Sequence, residues 1–160
     1  MEAAILFCGA RRTDQCQRAL SAGGFSAAAV RAADSGRVAG ELAALLQAHR
    51  LVLLVGPARG GDPSYGGPVF SALGVALRGG RPDGVLHLRG DGACGGFLVE
   101  SPTQAVAVLP DLPAALAALL PELSLRLRQK FGLPAPPPGK PVPDFSRLMD
   151  AAPPPGGKPG

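Results

Sequence analysis

The sequence predicts an α/β fold: a three-layer sandwich with a mainly parallel mixed sheet, helices on both faces, and a short antiparallel β portion. Three observations predict it. Strand-like and helix-like segments alternate three times from the N-terminus, the order that builds a parallel sheet with crossover helices. LVLLVG at 51–56 is a continuous apolar run, the pattern of a strand covered on both faces. Beyond residue 84, three short strand-like pieces are separated by turn residues, which suits antiparallel pairing.

AAILFCG at 3–9 reads as a buried strand ended by Gly9. In TDQCQRALSAGG, Thr13 or Asp14 is placed to cap a helix, and Gly23-Gly24 to end it. FSAAAVRAA at 25–33 is ambiguous: a second strand is due here and Val30 fits one, but alanine prefers helix. DSGRVAGELAALLQAHR at 34–50 is a helix capped by Asp34 or Ser35, with Val38, Leu42, Leu45 and Leu46 at helical spacing. After the run at 51–56 and a glycine-rich loop, GPVFSALGVALR at 67–78 predicts a third helix with Pro68 in its first turn. GGRPDG at 79–84 is a turn. VLHLRG, GGFLVES and AVAVLP are the three short strands. PDLPAALAALLPELSLRLRQKFG at 110–132 is helical, and Pro121 is expected to break it or to begin a second helix.

The division of the chain follows composition. Residues 1–133 form the α/β domain, long enough for a real core. Residues 134–160 are rich in proline and glycine and are expected to be a disordered tail. Within that tail Phe145, Leu148 and Met149 fall on one face of a helical turn, which would suit docking to a protein partner. The core must be built from Ala, Leu and Val, since aromatics are 4% and Trp is absent.

Charge narrows the partners. The net charge of +4 is mild and the arginines are scattered. Arg126, Arg128 and Lys130 cluster near a helix end, where cations complement the dipole, so no nucleic-acid surface is expected. No apolar run is long enough for a membrane span and no signal peptide is visible. Cys8, Cys16 and Cys94 show no metal spacing, and Cys8 reads as a small buried hydrophobe. A reduced, cytoplasmic protein is expected. His87 lies mid-strand and His49 closes a helix; both read as structural.

The chemistry concentrates in GPARGGDPSYGG, which follows the buried strand at 51–56. In open α/β sheets ligands sit beyond the carboxyl ends of the strands. Glycines there allow close backbone approach, and the following helix favours an anion. The loop is neither a P-loop nor GxGxxG, and Arg59 is its only cation.

The order of elements and several short matches resemble the molybdopterin-binding domain. That family includes molybdenum-cofactor biosynthesis proteins and the N-terminal half of the competence-damage-inducible protein A family. Its loop TGGLGPTxDDxT, laid over VGPARGGDPSYGG, places Gly56 on the second glycine and Asp62 on the first acidic position. Pro63 stands at the second acid and Tyr65 at the last Thr. Its GxAxGF motif falls on GACGGF, at Gly92, Gly96 and Phe97. Its LPGxP motif falls on LPDLP, at Leu109, Pro110 and Pro113, with Asp111 in place of the glycine. TDQCQRALSAGGF and LRQKFGL also resemble helices of the family. GARRT replaces the GxELL segment that follows the first strand, and the span before GACGGF is shorter.

The resemblance implies a phosphate-bearing small molecule as ligand, either a nucleotide or molybdopterin. It also implies Mg²⁺ or Mn²⁺ at a carboxylate, and a metal-dependent pyrophosphatase activity as in some relatives. Carried over, Gly56, Arg59, Gly60, Gly61, Asp62, Ser64, Gly92, Gly96 and Asp111 are the ligand-binding residues and Asp62 the metal ligand. Asp62 reads equally as an Asx turn at Asp-Pro. One acid in place of two leaves open whether catalysis survives. The alternative is a catalytically inactive relative that serves as an interaction or homo-oligomerisation module, with the tail recruiting a partner.

Overall fold

The computed structural model describes residues 1–34, 36–57, 63–78, 81–82, 84–89 and 95–133. Its elements are β1 (Glu2–Cys8), α1 (Thr13–Ala22), β2 (Ser26–Ala33), α2 (Val38–Ala48), β3 (Leu51–Val55), α3 (Pro63–Ala72), β4 (Leu77–Arg78), β5 (Arg81–Pro82), β6 (Leu86–Leu88), β7 (Gly96–Glu100), β8 (Ala105–Leu109) and α4 (Pro113–Lys130). Six strands form one sheet in the order β2-β1-β3-β8-β7-β6, and β4 and β5 form a separate antiparallel ribbon. The pairs β1–β2, β1–β3 and β3–β8 are parallel. The pairs β7–β8 and β6–β7 are antiparallel. The sheet is therefore mixed and mainly parallel, as the sequence predicts.

Alternation along the strands builds the two outer layers. On one face Ala4, Leu6, Cys8, Val52, Leu54, Val106 and Val108 pack with Val38, Leu42 and Leu45 of α2 and with Val69 and Phe70 of α3. On the other face lie Ile5, Leu53 and Leu109, with buried Cys16 and Leu20 of α1 and Leu116, Leu119 and Leu123 of α4. All five residues of β3 are buried, which explains why its sequence does not alternate.

Two of the six phenylalanines meet across the core. The rings of Phe70 and Phe97 stand edge to face with centroids 5.6 Å apart. His87, directly opposite Phe97 in the strand register, lies 4.8 Å from the same ring. Cys8 is fully buried, as expected, and burial pushes its thiol up to about 12.

The ambiguous alanine segment is a strand. β2 is an edge strand, largely exposed, and its conformation follows from parallel pairing with β1 along almost its whole length. Tertiary pairing overrides the helical preference of alanine.

Four local expectations are corrected. α1 takes no side-chain cap from Thr13 or Asp14; Arg12, in the left-handed region at φ 54°, precedes it. α3 begins at Pro63, so the first-turn proline is Pro63 and not Pro68. It ends at Ala72 because Gly74, at φ 72°, turns the chain. The Gly74 N–H donates to Ser71 O and the Val75 N–H to Phe70 O, a Schellman-like close that releases 77–78 into β4. Finally, α4 runs unbroken through Pro121. Pro121 and Ala117 are both exposed, so the carbonyl that loses its partner faces water.

The chain divides into two units, Met1–Leu127 and Arg128–Gly160. In the second unit, the described residues are the last turn of α4, with Arg128 and Lys130, and a turn in which the Leu133 N–H donates to Arg128 O. Phe145, Leu148 and Met149 lie outside the described residues, as do Ser35 and Cys94. Among the described residues no helix is long and apolar enough to cross a membrane.

Candidate functional site

The carboxyl ends of β1, β2, β3 and β8 open on the same rim of the sheet, because these strands run parallel. β7 runs against β8 and starts there, and β6 ends there. The chain leaves β1 toward β2 and leaves β3 toward β8. The gap between β1 and β3 is therefore a topological switch point, where α/β sheets hold ligands.

Gly56 is the first residue after β3. Its φ is 120°, and a Cβ there would stand 2.4 Å from the Cys8 carbonyl oxygen of β1. Only glycine lets these two strand ends approach so closely. The Gly56 N–H donates to Leu109 O at 2.8 Å, which ties the exit of β3 to that of β8. The Gly9 N–H donates to Ala33 O at 3.2 Å, which ties β1 to β2.

Asp111 locks the next pair of loops. It is the one buried charged residue among the described residues, 8% exposed. Its Oδ2 accepts the Arg11 N–H at 2.9 Å, and its carbonyl accepts the Cys16 thiol at 3.3 Å. The β8–α4 turn is thus fastened both to the loop after β1 and to the first turns of α1. The Cys16 thiol is raised by burial and by the Asp111 carboxylate, against an opposing pull from Arg12.

Of the residues singled out by sequence, Gly56, Gly96 and Asp111 come together on this rim. Gly96 opens β7 beside Leu109; a Cβ on it would meet Val108 O at 2.7 Å and Leu119 Cδ1 at 3.2 Å. Ser64 falls in the first turn of α3. Arg59, Gly60, Gly61, Asp62 and Gly92 lie outside the described residues. Chain connectivity roots 58–62 between Pro57 and α3, and 90–94 between Arg89 and β7, both on the same rim.

Sequence reading passed over two residues here. Arg11 and Arg12 sit exposed on the loop after β1, whose Ala10 lies against Gly56. The signal was available: adjacent cations between a glycine-ended strand and a helix start. Among the described residues no group of three or more His, Cys, Asp or Glu is placed to hold a metal ion.

The sheet order and layering are those of an α/β fold found in solved molybdopterin biosynthesis proteins and in a CinA protein. The protein CinA of Thermoplasma acidophilum superposes with a TM-score of 0.63 at 14% identity, over 79% of this chain and 97% of that one. The molybdopterin biosynthesis enzyme MoaB of Thermus thermophilus gives 0.56 at 18% identity, over 83% and 98%. A molybdenum cofactor biosynthesis protein of Corynebacterium diphtheriae gives 0.56 at 15% identity, over 84% and 99%. At these identities the likeness is one of fold. No family profile and no curated protein matches the sequence.

Proposed function

We propose that this protein binds a phosphate-bearing small molecule, a nucleotide or molybdopterin, at the rim between β1 and β3. One observation carries the reading: Gly56, at the switch point, holds a backbone conformation and a closeness to β1 that only glycine accepts. In this reading the glycine-rich loop that follows offers its main-chain amides to a group with several acceptor oxygens. The fold shared with molybdopterin biosynthesis proteins supports the ligand class.

Each residue has a role in this reading. Amides around Gly60 to Gly67 take the phosphate oxygens, and Ser64 adds a hydroxyl. Gly96 keeps the start of β7 close to β8, and Gly92 is assigned to the same ligand site. Arg59 offsets charge. Asp62 is the carboxylate that would hold Mg²⁺ or Mn²⁺ where metal-assisted pyrophosphate hydrolysis survives. Asp111 contributes by fastening the loop after β1. The free, buried Cys8 and Cys16 support a reducing, cytoplasmic setting.

The test is thermal stabilisation by ADP-ribose, nucleotides and molybdopterin, with and without Mg²⁺ or Mn²⁺, repeated on Asp62→Ala. A linked site stabilises by roughly 2.7 kcal/mol at a hundredfold excess over Kd. If Asp62 holds metal, only the metal-dependent part of the shift disappears in the variant.

A further inference from the structure

We propose that the outer edge of β2 pairs with the same edge of a second copy of this chain, antiparallel about a two-fold axis, so that one sheet runs through both subunits. The inference is independent of the ligand reading, since it uses no residue assigned to the ligand.

β2 is the longest strand of the sheet, at eight residues, and only β1 pairs with it. The Ser26 N–H donates to Met1 O and Ala33 O accepts from the Gly9 N–H, so these residues turn their main chain toward β1. Alternation turns the main chain of Ala27, Val30 and Ala32 outward. Edge strands are commonly protected by proline or lysine. This one has neither, and Arg31 is its only charge. Nor does its composition hold it extended, since alanine favours helix.

The register makes the edge complementary to itself. A bulge between Ala27 and Ala29 leaves Ala27 opposite Ala3 and Val30 opposite Ile5, on one face of the sheet. It leaves Ser26 opposite Glu2 and Arg31 opposite Leu6, on the α2 face. Antiparallel pairing centred on the bulge sets Ala27 against Val30 of the partner subunit, and Arg31 against Ser26 of the partner subunit. Val30, 44% exposed, then covers the partner's Ala27. Arg31 reaches across the partner's small Ser26 toward the partner's Glu2, two strand spacings or about 10 Å away between Cα atoms. Glu2 is exposed, and among the described residues no ion pair holds it. The contact of Arg31 with Glu41 is long, 3.9 Å, and leaves the arginine side chain 60% exposed. Within one chain Arg31 stands opposite Leu6, about 13 Å along β1 from Glu2, so the two cannot pair there. An edge that meets itself closes after two subunits, whereas pairing with the three-residue β6 at the far edge would extend without end.

The test is the mass of the full chain by sedimentation equilibrium over a range of concentrations, with amide exchange of 26–33 followed in the same samples. The expected result is twice the chain mass of 16.1 kDa, with slower exchange at Ala27, Val30 and Ala32 as the dimer forms. Val30→Pro removes an N–H that faces outward and should raise the dimer Kd by about tenfold or more. Arg31→Glu should weaken the dimer by about tenfold, and adding Glu2→Arg to Arg31→Glu should restore it. Circular dichroism checks that each variant is folded. A monomer at every concentration overturns the inference, even if another part of the chain protects these amides. So does a dimer unchanged in both Val30→Pro and Arg31→Glu, or a charge swap that fails to restore one.

Discussion

The Asp111 carboxylate accepts the backbone N–H of Arg11 at 2.9 Å, joining two loops a hundred residues apart in sequence. The bond is part-buried, its acceptor on the buried Asp111 and its donor on the exposed Arg11, so solvent replaces it only in part. Asp111→Ala is expected to lower unfolding stability by about 1.5–3 kcal/mol, as for buried bonds to a charged acceptor. Asp111→Asn, which keeps an acceptor, should lose less. Urea denaturation of both variants measures the difference.

Gly56→Ala should be more severe. The added Cβ meets main-chain oxygen, not the end of a flexible side chain, and the φ of 120° is itself strained for alanine. A loss of about 2 kcal/mol or more is expected, by thermal or urea unfolding. Gly67→Ala, where a Cβ meets nothing within 4 Å, is the matched control.

Pro121→Ala should stabilise the protein. The residue is exposed in mid-helix, and alanine restores a helical N–H bond with better propensity. A gain of about 1–3 kcal/mol is expected, read as a raised Tm.

Alkaline pH should destabilise the fold through Cys8. Burial raises its thiol from 9.0 to about 12. The unfolded chain therefore releases this proton first. The stability this thiol contributes is complete below pH 9 and is lost as pH rises through the window from 9 to about 12. The slope approaches about 1.4 kcal/mol per pH unit for one thiol. Denaturation midpoints at pH 8, 9 and 10 check it, and Cys8→Ala should flatten the fall.

Much of this architecture is written locally. The unbroken apolar run of β3 announces its burial, and Asp34 announces the start of α2: its carboxylate accepts the N–H groups of Gly36 and Arg37 at 3.1 Å. β2 was not legible, because eight residues rich in alanine become a strand only through pairing with β1. The end of α3 was missed because helical periodicity continues past Gly74, while one positive φ decides the boundary. At the site, Gly56, Gly96 and Asp111 could be picked from motif order. Arg11 and Arg12 stood in the sequence as adjacent cations between a glycine-ended strand and a helix start, but the bond that fixes their loop joins residues a hundred positions apart and could not be read there.

Amide hydrogen exchange with and without ADP-ribose tests the central claim most directly, because it reports where on the chain the ligand lands. The account predicts slowed exchange in 9–12 and 56–67, around the switch point, with the opposite end of the sheet near Arg50 and Gln104 unchanged. Protection at that opposite end, or none anywhere under saturating diphosphate ligand, would contradict it.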